Sequence, residues 1–308
     1  MFGIIDILKV QYWKVLERLT EIEDSKWYAS ICKSYSNPPV IVNGKPLPGF
    51  PPDDFQIKTT GSAGTTTLRE AFNFYRDCRN TFKAMGVPIQ PRCRLLDFGV
   101  GWGRIARFFL HDLPLENIYG VDVMENFIKV CRQTFGTDNF QVIDPYPPLN
   151  FPDNTFDFVV GYSVFSHLSE QACASWMKEF HRILVPGGIV AVTTRARSFF
   201  DHCQSLKDNA RNKHPSELSE YAKALANLFD DFEAAKARYD NGEFVHSNRE
   251  GVTGSGAMTA EFYGESFIPE AYARTAYADY FELEKFLFDE RRQTQPILFF
   301  RRKNKVAS

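Results

Sequence analysis

The sequence has no Cys-x-x-Cys pair. Its six cysteines, Cys32, Cys78, Cys93, Cys131, Cys173 and Cys203, are scattered over 308 residues. That scatter argues against a disulfide framework or a structural zinc site and for reduced thiols in a cytoplasmic setting. Charge of one sign is not in excess. Lys plus Arg number 36 against 38 Asp plus Glu, for a formal net charge of -2, so the basic footprint expected of a nucleic-acid binder is missing. No apolar run is long enough to span a membrane, and the opening Met1-Phe2-Gly3-Ile4-Ile5-Asp6-Ile7-Leu8 has no basic n-region. No His and acid cluster has metal-ligand spacing, so no metal site is expected. Internal repeats and low-complexity tracts are absent too. What is plentiful is phenylalanine: 29 Phe against 13 Tyr and 4 Trp, which points to an aromatic-rich core.

The chain divides into four regions. Residues 1–66 read as an extension, with Ile4, Leu8, Tyr12, Val15, Leu19 and Ile22 on one helical face. Docking on the body or on a second copy suits that face better than a lipid surface, because Glu17, Glu21 and Glu23 oppose anionic lipid. Asn37 to Pro52 carries Pro38, Pro39, Pro46, Pro48 and Pro51 and reads as loop. A helix is expected from Thr67 to Met85, stopped by Gly86 and Pro88.

Residues 67–196 alternate short apolar strands with helices. The strands are expected at Arg94–Phe98, Ile118–Asp122, Phe140–Asp144, Phe156–Gly161 and Ile189–Thr194. Such alternation implies a parallel sheet with helices on both faces. In 197–260 the pattern becomes helical, with a stripe of Leu218, Tyr221, Leu225, Leu228, Phe229 and Phe232, and then turns glycine-rich at Gly251, Gly254 and Gly256. This reads as a cap over a ligand crevice. Residues 261–308 complete the sheet with strands at Phe281–Asp289 and Pro296–Arg301, too close together for a crossover helix, so one strand must run antiparallel. The expected fold is therefore α/β: a doubly wound, seven-stranded, mostly parallel sheet with an N-terminal helical extension and a helical cap.

The sharpest local signal is Leu95-Leu96-Asp97-Phe98-Gly99-Val100-Gly101-Trp102-Gly103, a strand running into three alternate glycines and then a helix. Glycines let backbone approach a ligand that any Cβ would exclude, and a helix start offers free N–H groups to an anion. A second acid, Asp122, ends the next strand, where a carboxylate accepts hydrogen bonds from two ribose hydroxyls. A nicotinamide site has G-x-G-x-x-G instead.

The pattern Asp97-x-Gly99-x-Gly101-x-Gly103 resembles the first motif of the class I S-adenosylmethionine-dependent methyltransferases. The likeness continues through Asp122, through Phe151-Pro152-Asp153-Asn154-Thr155-Phe156-Asp157 and through Leu184-Val185-Pro186-Gly187-Gly188. It covers residues 90–196 and, more thinly, 265–302. It implies a Rossmann-like methyltransferase fold with S-adenosyl-L-methionine as cofactor. Asp97, Gly99, Gly101 and Gly103 would surround the methionine end, Asp122 would hold the ribose, and Val123 and Met124 would flank the adenine. Asp144 maps to the residue after the third strand that binds the adenine amino group, although Pro145-Tyr146-Pro147-Pro148 departs from the family pattern. Ser163-Val164-Phe165-Ser166-His167-Leu168 and Tyr263-Gly264-Glu265-Ser266-Phe267-Ile268-Pro269 resemble a bacterial branch encoded with, or fused to, glycosyltransferases. That branch is the pointer to a glycan; the expected acceptor is a hydroxyl of a small molecule or of a glycan.

Methyl transfer to a hydroxyl calls for a base, and His167 follows the fourth strand at the edge where open α/β sheets bind ligands. A histidine there also suits capping or packing of the following helix. His202, His214 and His246 fall in the cap and are expected to be solvated. Arg107 is expected on a solvated helix face, Arg104 within reach of the cap or a phosphate, and Trp102 packed on the body or near the sulfonium. Phe108, Phe109, Trp176, Phe180 and Ile183 read as core, and Arg301-Arg302-Lys303-Asn304-Lys305 as a frayed end. Two other functions stay open: a nicotinamide-dependent oxidoreductase and a non-catalytic S-adenosylmethionine-binding protein. Nucleic-acid methylation is not expected, since no Asn/Asp-Pro-Pro-aromatic motif follows the fourth strand. Self-association into a homo-oligomer is left open.

Overall fold

The computed structural model describes residues 23–42, 44–212, 219–252 and 256–304. The expected helical face from Ile4 to Ile22, together with His214, Leu218, Gly254 and Lys305, lies outside them. Within the stretch expected to be all loop, a short antiparallel hairpin forms from β1 (Ile41–Val42) and β2 (Lys45–Pro46), with Ile41 opposite Pro46. Pro46 is tolerated because a two-stranded ribbon leaves its missing N–H facing outward. The long helix after it runs Gly64–Ala84, starting three residues before the expected Thr67.

The central sheet takes its strands from β3 (Leu95–Phe98), β4 (Ile118–Asp122), β5 (Phe140–Val142), β6 (Phe156–Gly161) and β7 (Leu184–Thr193). A separate small ribbon pairs β8 (Val245–Ser247) with β9 (Glu265–Phe267), and β10 (Phe281–Leu287) and β11 (Ile297–Arg302) complete the main sheet. Its order is β10-β11-β7-β6-β3-β4-β5, seven strands in all. The β3 to β7 neighbours are parallel, while β11 runs antiparallel to both β7 and β10. This is the Rossmann-like methyltransferase architecture. The chain winds outward from β3 to β4 and β5, then returns to β6 and β7 on the other side. That reversal opens a crevice at the carboxyl ends of β3, β4 and β6.

Both faces of the sheet are buried, so its strands split their side chains between two cores at period two. Leu95, Phe158, Val160 and Phe299 join Phe74, Phe82 and Phe108 on one face; Leu96, Phe98, Val159 and Phe300 join Phe165, Trp176 and Phe180 on the other. The abundance of phenylalanine is thus spent on packing, as in the stacked pair Phe82–Phe158 at 4.5 Å between ring centroids. Strand β7 begins at Leu184, earlier than expected, because Leu184 already pairs with Phe156. A register shift between Phe156 and Phe158 then absorbs the Pro186-Gly187 kink.

Between β7 and β8 the described residues hold three helices, Ser198–Asn212, Glu220–Ala226 and Phe232–Asp240, over a third core of Phe200, Leu225, Leu228, Phe232 and Phe267. The apolar stripe expected as one helix is divided at residues 227–231. Two caps bound the break: Asn227 closes the first helix with its N–H on the Ala224 and Leu225 carbonyls, and Asp231 opens the next by accepting from the Ala234 N–H. Among the described residues no helix is long and apolar enough to cross a membrane.

Candidate functional site

The glycine run leaves β3 as a loop in which Gly99, Gly101 and Gly103 all have positive φ, at 72°, 54° and 80°. The fold reads these glycines in different ways. A Cβ on Gly103 would lie 2.4 Å from the Phe135 ring, so Gly103 admits the neighbouring helix Glu125–Phe135. A Cβ on Gly101 would meet nothing within 4 Å, which leaves its backbone face open. The helix expected immediately after the loop is only four residues, Ala106–Phe109, behind a run of turns. No helix-start anion site is built there, because so short a helix has no appreciable dipole.

Above the loop lies a cavity of about 770 Å³. Its lining includes Gly99, Val100, Gly101, Asp122 and Val123 from the β3 loop and the end of β4, with Phe127, Ile143 and Pro145. The loop after β6 adds Ser163, Val164 and His167, and later segments add Arg195, Tyr221 and Tyr263. One wall comes from residues 57–61, at the end of the helix Asp53–Thr60.

Two acids flank the glycine loop, one in the cavity lining and one behind it. Asp122 holds the loop: its Oδ2 accepts from the Gly101 N–H and its Oδ1 from the Met124 N–H, both at 2.9 Å. Each oxygen keeps a further lone pair for another donor. Burial raises its pKa to about 6. Asp97 is 1% exposed and lies behind the loop, and burial raises its pKa to about 7. Among the described residues its Oδ2 has no hydrogen-bond partner.

His167 is buried, with Nδ1 2.8 Å from the Gly264 carbonyl oxygen. A carbonyl only accepts, so Nδ1 carries the proton and Nε2 offers its lone pair. Nε2 makes no hydrogen bond among the described residues, and the residue lines the cavity. Burial holds the pKa below the ordinary histidine value. The ring stacks on Tyr263 at 4.8 Å, with 2° between planes. Glu265 Oε1 is 3.5 Å from Nδ1. The same carboxylate accepts from Arg195 Nε at 2.5 Å and Nη2 at 3.1 Å, and from the Tyr221 hydroxyl at 2.7 Å.

Residues 96–192 match the family model described as "Methyltransferase domain". This segment is a class I methyltransferase domain. Its methyl donor is S-adenosylmethionine, which displaces the nicotinamide alternative. Two curated relatives are similar over part of the chain. One is the sterol 24-C-methyltransferase of Yarrowia lipolytica, 30% identical over 129 residues, or 40% of this chain and 33% of that protein. The other is the demethylmenaquinone methyltransferase of Geobacillus stearothermophilus, 36% identical over 81 residues, or 25% of this chain and 33% of that one. The chain thus spans about a third of the length of these relatives. Among solved structures, the magnesium protoporphyrin IX methyltransferase of Synechocystis with bound S-adenosylhomocysteine is 13% identical. It covers 81% of this chain and 94% of that one at a TM-score of 0.48. Neither the matched family nor these relatives point to the glycosyltransferase-associated branch.

Of the site residues expected from sequence, the methyltransferase domain brings Gly99, Gly101, Asp122, Val123 and His167 to the cavity lining. Asp97 and Gly103 stand behind it, and Met124 contributes the N–H that caps Asp122. Asp144 is exposed, while its neighbours Ile143 and Pro145 line the cavity.

Several expectations are corrected. Arg107 is not solvated: it is fully buried, donates to the carbonyls of Gly103, Pro48 and Gly49, and lies over the Phe50 ring at 3.9 Å. Its surroundings are aromatic rather than acidic, so burial lowers its pKa to about 9. Arg104 does not reach the cap, because Glu70 takes it at 2.6 Å on the long helix. His246 is not solvated but lies 2.7 Å from Ser266 Oγ in the β8–β9 ribbon. Arg301 and Arg302 are not frayed; β11 holds them, paired with Glu284 and Asn154. Trp102 packs in the core at 1% exposure, while His202 is exposed as expected.

The residues missed from sequence are Glu70, Arg195, Tyr221 and the 57–61 wall. Only Glu265 and Tyr263 carried a signal, through the Tyr263–Pro269 stretch. Each of the others is an ordinary residue until the fold gathers it.

Proposed function

We propose that the protein transfers the methyl group of S-adenosylmethionine to a hydroxyl of a small, uncharged acceptor, with His167 as general base. The observation that carries the reading is that one cavity is lined both by a glycine loop clasped by Asp122 and by a neutral imidazole whose Nε2 is unengaged.

Three features support the fit of the donor. Asp122 retains lone pairs for vicinal ribose hydroxyls. Gly101 leaves open space where a side chain would intrude. Val123, Phe127 and Ile143 suit the flat faces of an adenine. When bound, the donor supplies an electrophilic methyl on a sulfonium. The protein's share is then to orient the acceptor, exclude water and take its proton at Nε2.

The acceptor end favours an uncharged compound. Both guanidinium groups in the lining are matched internally, Arg104 by Glu70 and Arg195 by Glu265, so neither is spare for a phosphate or carboxylate. The helices of residues 197–260 act as a cap, with Tyr221 from the second of them reaching into the cavity. The two curated relatives named above are, by name, a sterol methyltransferase and a demethylmenaquinone methyltransferase, which agrees with an apolar acceptor over a glycan. They also keep carbon open as the methylated atom.

The test has two stages. Thermal-shift titration should show stabilisation by S-adenosylhomocysteine and none by NADH. Incubation of carbon-13-methyl donor with neutral phenols and alcohols should then give an O-methyl carbon signal. A C-methyl signal would move the reading to carbon, and tight donor binding without turnover on any acceptor would favour a non-catalytic binding protein.

A further inference from the structure

The buried carboxylate of Glu265 is the one feature of the acceptor end that the proposed chemistry leaves without a task. It is fully shielded from solvent, yet it receives three hydrogen bonds from two residues and still sits 3.5 Å from His167 Nδ1. Its neighbours come from separate parts of the chain: Arg195 from just past β7, Tyr221 from the helix Glu220–Ala226, and His167 from the loop after β6. A shielded charge held this firmly is expensive unless its field is used.

We propose that Glu265 is a positioning residue: its charge keeps the His167 proton on Nδ1, facing the Gly264 carbonyl, and raises the basicity of Nε2 toward the cavity. Through Tyr221 the same carboxylate ties the base to the capping helix. The inference rests on the reading of His167 as base. The groups facing the imidazole set the sign. Glu265 favours the protonated ring and Arg195 opposes it; Tyr263 stacks on it, Tyr221 reaches it only through Glu265, and His246 lies across Gly264. The Glu265 effect outweighs that of Arg195, and burial outweighs both, so the pKa of His167 lies below the ordinary value but would fall further without Glu265.

The experiment titrates the imidazoles of the full chain labelled with carbon-13 histidine, with S-adenosylhomocysteine present, and assigns His167 by the signal lost in His167→Gln. Glu265→Gln should lower the His167 titration by about one pH unit or more, the size expected for removing a unit charge at this range. Tyr221→Phe removes a bond to the same carboxylate but not its charge, and should leave the titration in place or raise it slightly. A purely structural role would move both variants alike and overturn the proposal. Should Glu265→Gln fail to fold, the double variant Arg195→Met with Glu265→Gln leaves no unpaired charge and should still shift the titration downward; an unmoved signal overturns the coupling. The readout needs no turnover. If the shift occurs while His167→Ala keeps full methyl transfer, the base assignment falls and the electrostatic coupling stands.

Discussion

Gly99 lies directly beneath Val164: a Cβ on the glycine would come 2.3 Å from Val164 Cγ2. The contact joins the loop after β3 to the loop after β6, the two segments that bound the crevice between them. Gly99→Ala must therefore move Val164 and also hold a side chain at φ 72°. The expected cost is about 1–3 kcal/mol in stability, with weaker S-adenosylhomocysteine binding. Adding Val164→Ala should recover part of the stability, since it relieves the clash but not the dihedral. Urea denaturation of the single and double variants measures both.

Donor binding should depend on pH through Asp97 and Asp122, whose pKa values are raised to about 7 and about 6 by burial. A carboxyl raised in the folded state contributes stability below its unfolded value that is lost as pH rises through the folded value. The free protein thus bears the cost of two buried charges at pH 8, and ligand donors that reach Asp122 in the cavity lining relieve part of it. Stabilisation by S-adenosylhomocysteine should be larger at pH 8 than at pH 5.5, where both acids are protonated. Asp122→Asn should weaken binding about tenfold or more and remove the lower titration step. Calorimetric titration across this range decides it; a flat profile would contradict the assignment.

His167→Ala should lower turnover roughly 10²-fold while leaving S-adenosylhomocysteine affinity unchanged. The ring contacts Tyr263 and Gly264 rather than the floor of the cavity, so loss of donor affinity would signal a structural effect. Single-turnover assays beside calorimetry separate the two.

Arg107→Ala should destabilise the protein by about 2–4 kcal/mol, because it empties a packed site and strands the carbonyls of Pro48, Gly49 and Gly103. The Pro48-Gly49 segment leads into the wall at residues 57–61, so donor affinity should fall as well. Thermal denaturation with and without S-adenosylhomocysteine checks both. Arg107→Lys should not restore the loss, since an ammonium cannot lie flat on Phe50 while reaching the same carbonyls.

Much of the sheet was legible in the sequence. Strands β4 and β6 match expectation residue for residue, and β3, β10 and β11 differ only at their ends, because buried strands are runs of apolar residues between glycine punctuation. Asp122 was legible because a carboxylate at a strand end after such a loop has few other uses. What escaped is what sequence encodes only through distance. Arg107 reads as a solvent-facing helical charge, and the carbonyls that bury it lie some 60 positions upstream. The Glu265 cluster needs four segments to meet before it means anything. Strands β8 and β9 are three residues each, too short for a period to be counted.

One stitch in the finished molecule bears on how it comes into being. Gln295, just ahead of β11, donates to Ser163 Oγ and accepts from Thr193 Oγ1, fastening the chamber after β6 to the strand that wedges in between β7 and β10. That strand is translated after every other member of the sheet. The flank of β7 is therefore covered only once β11 has been made, and with it Thr294 and Gln295 take their places in the cavity lining.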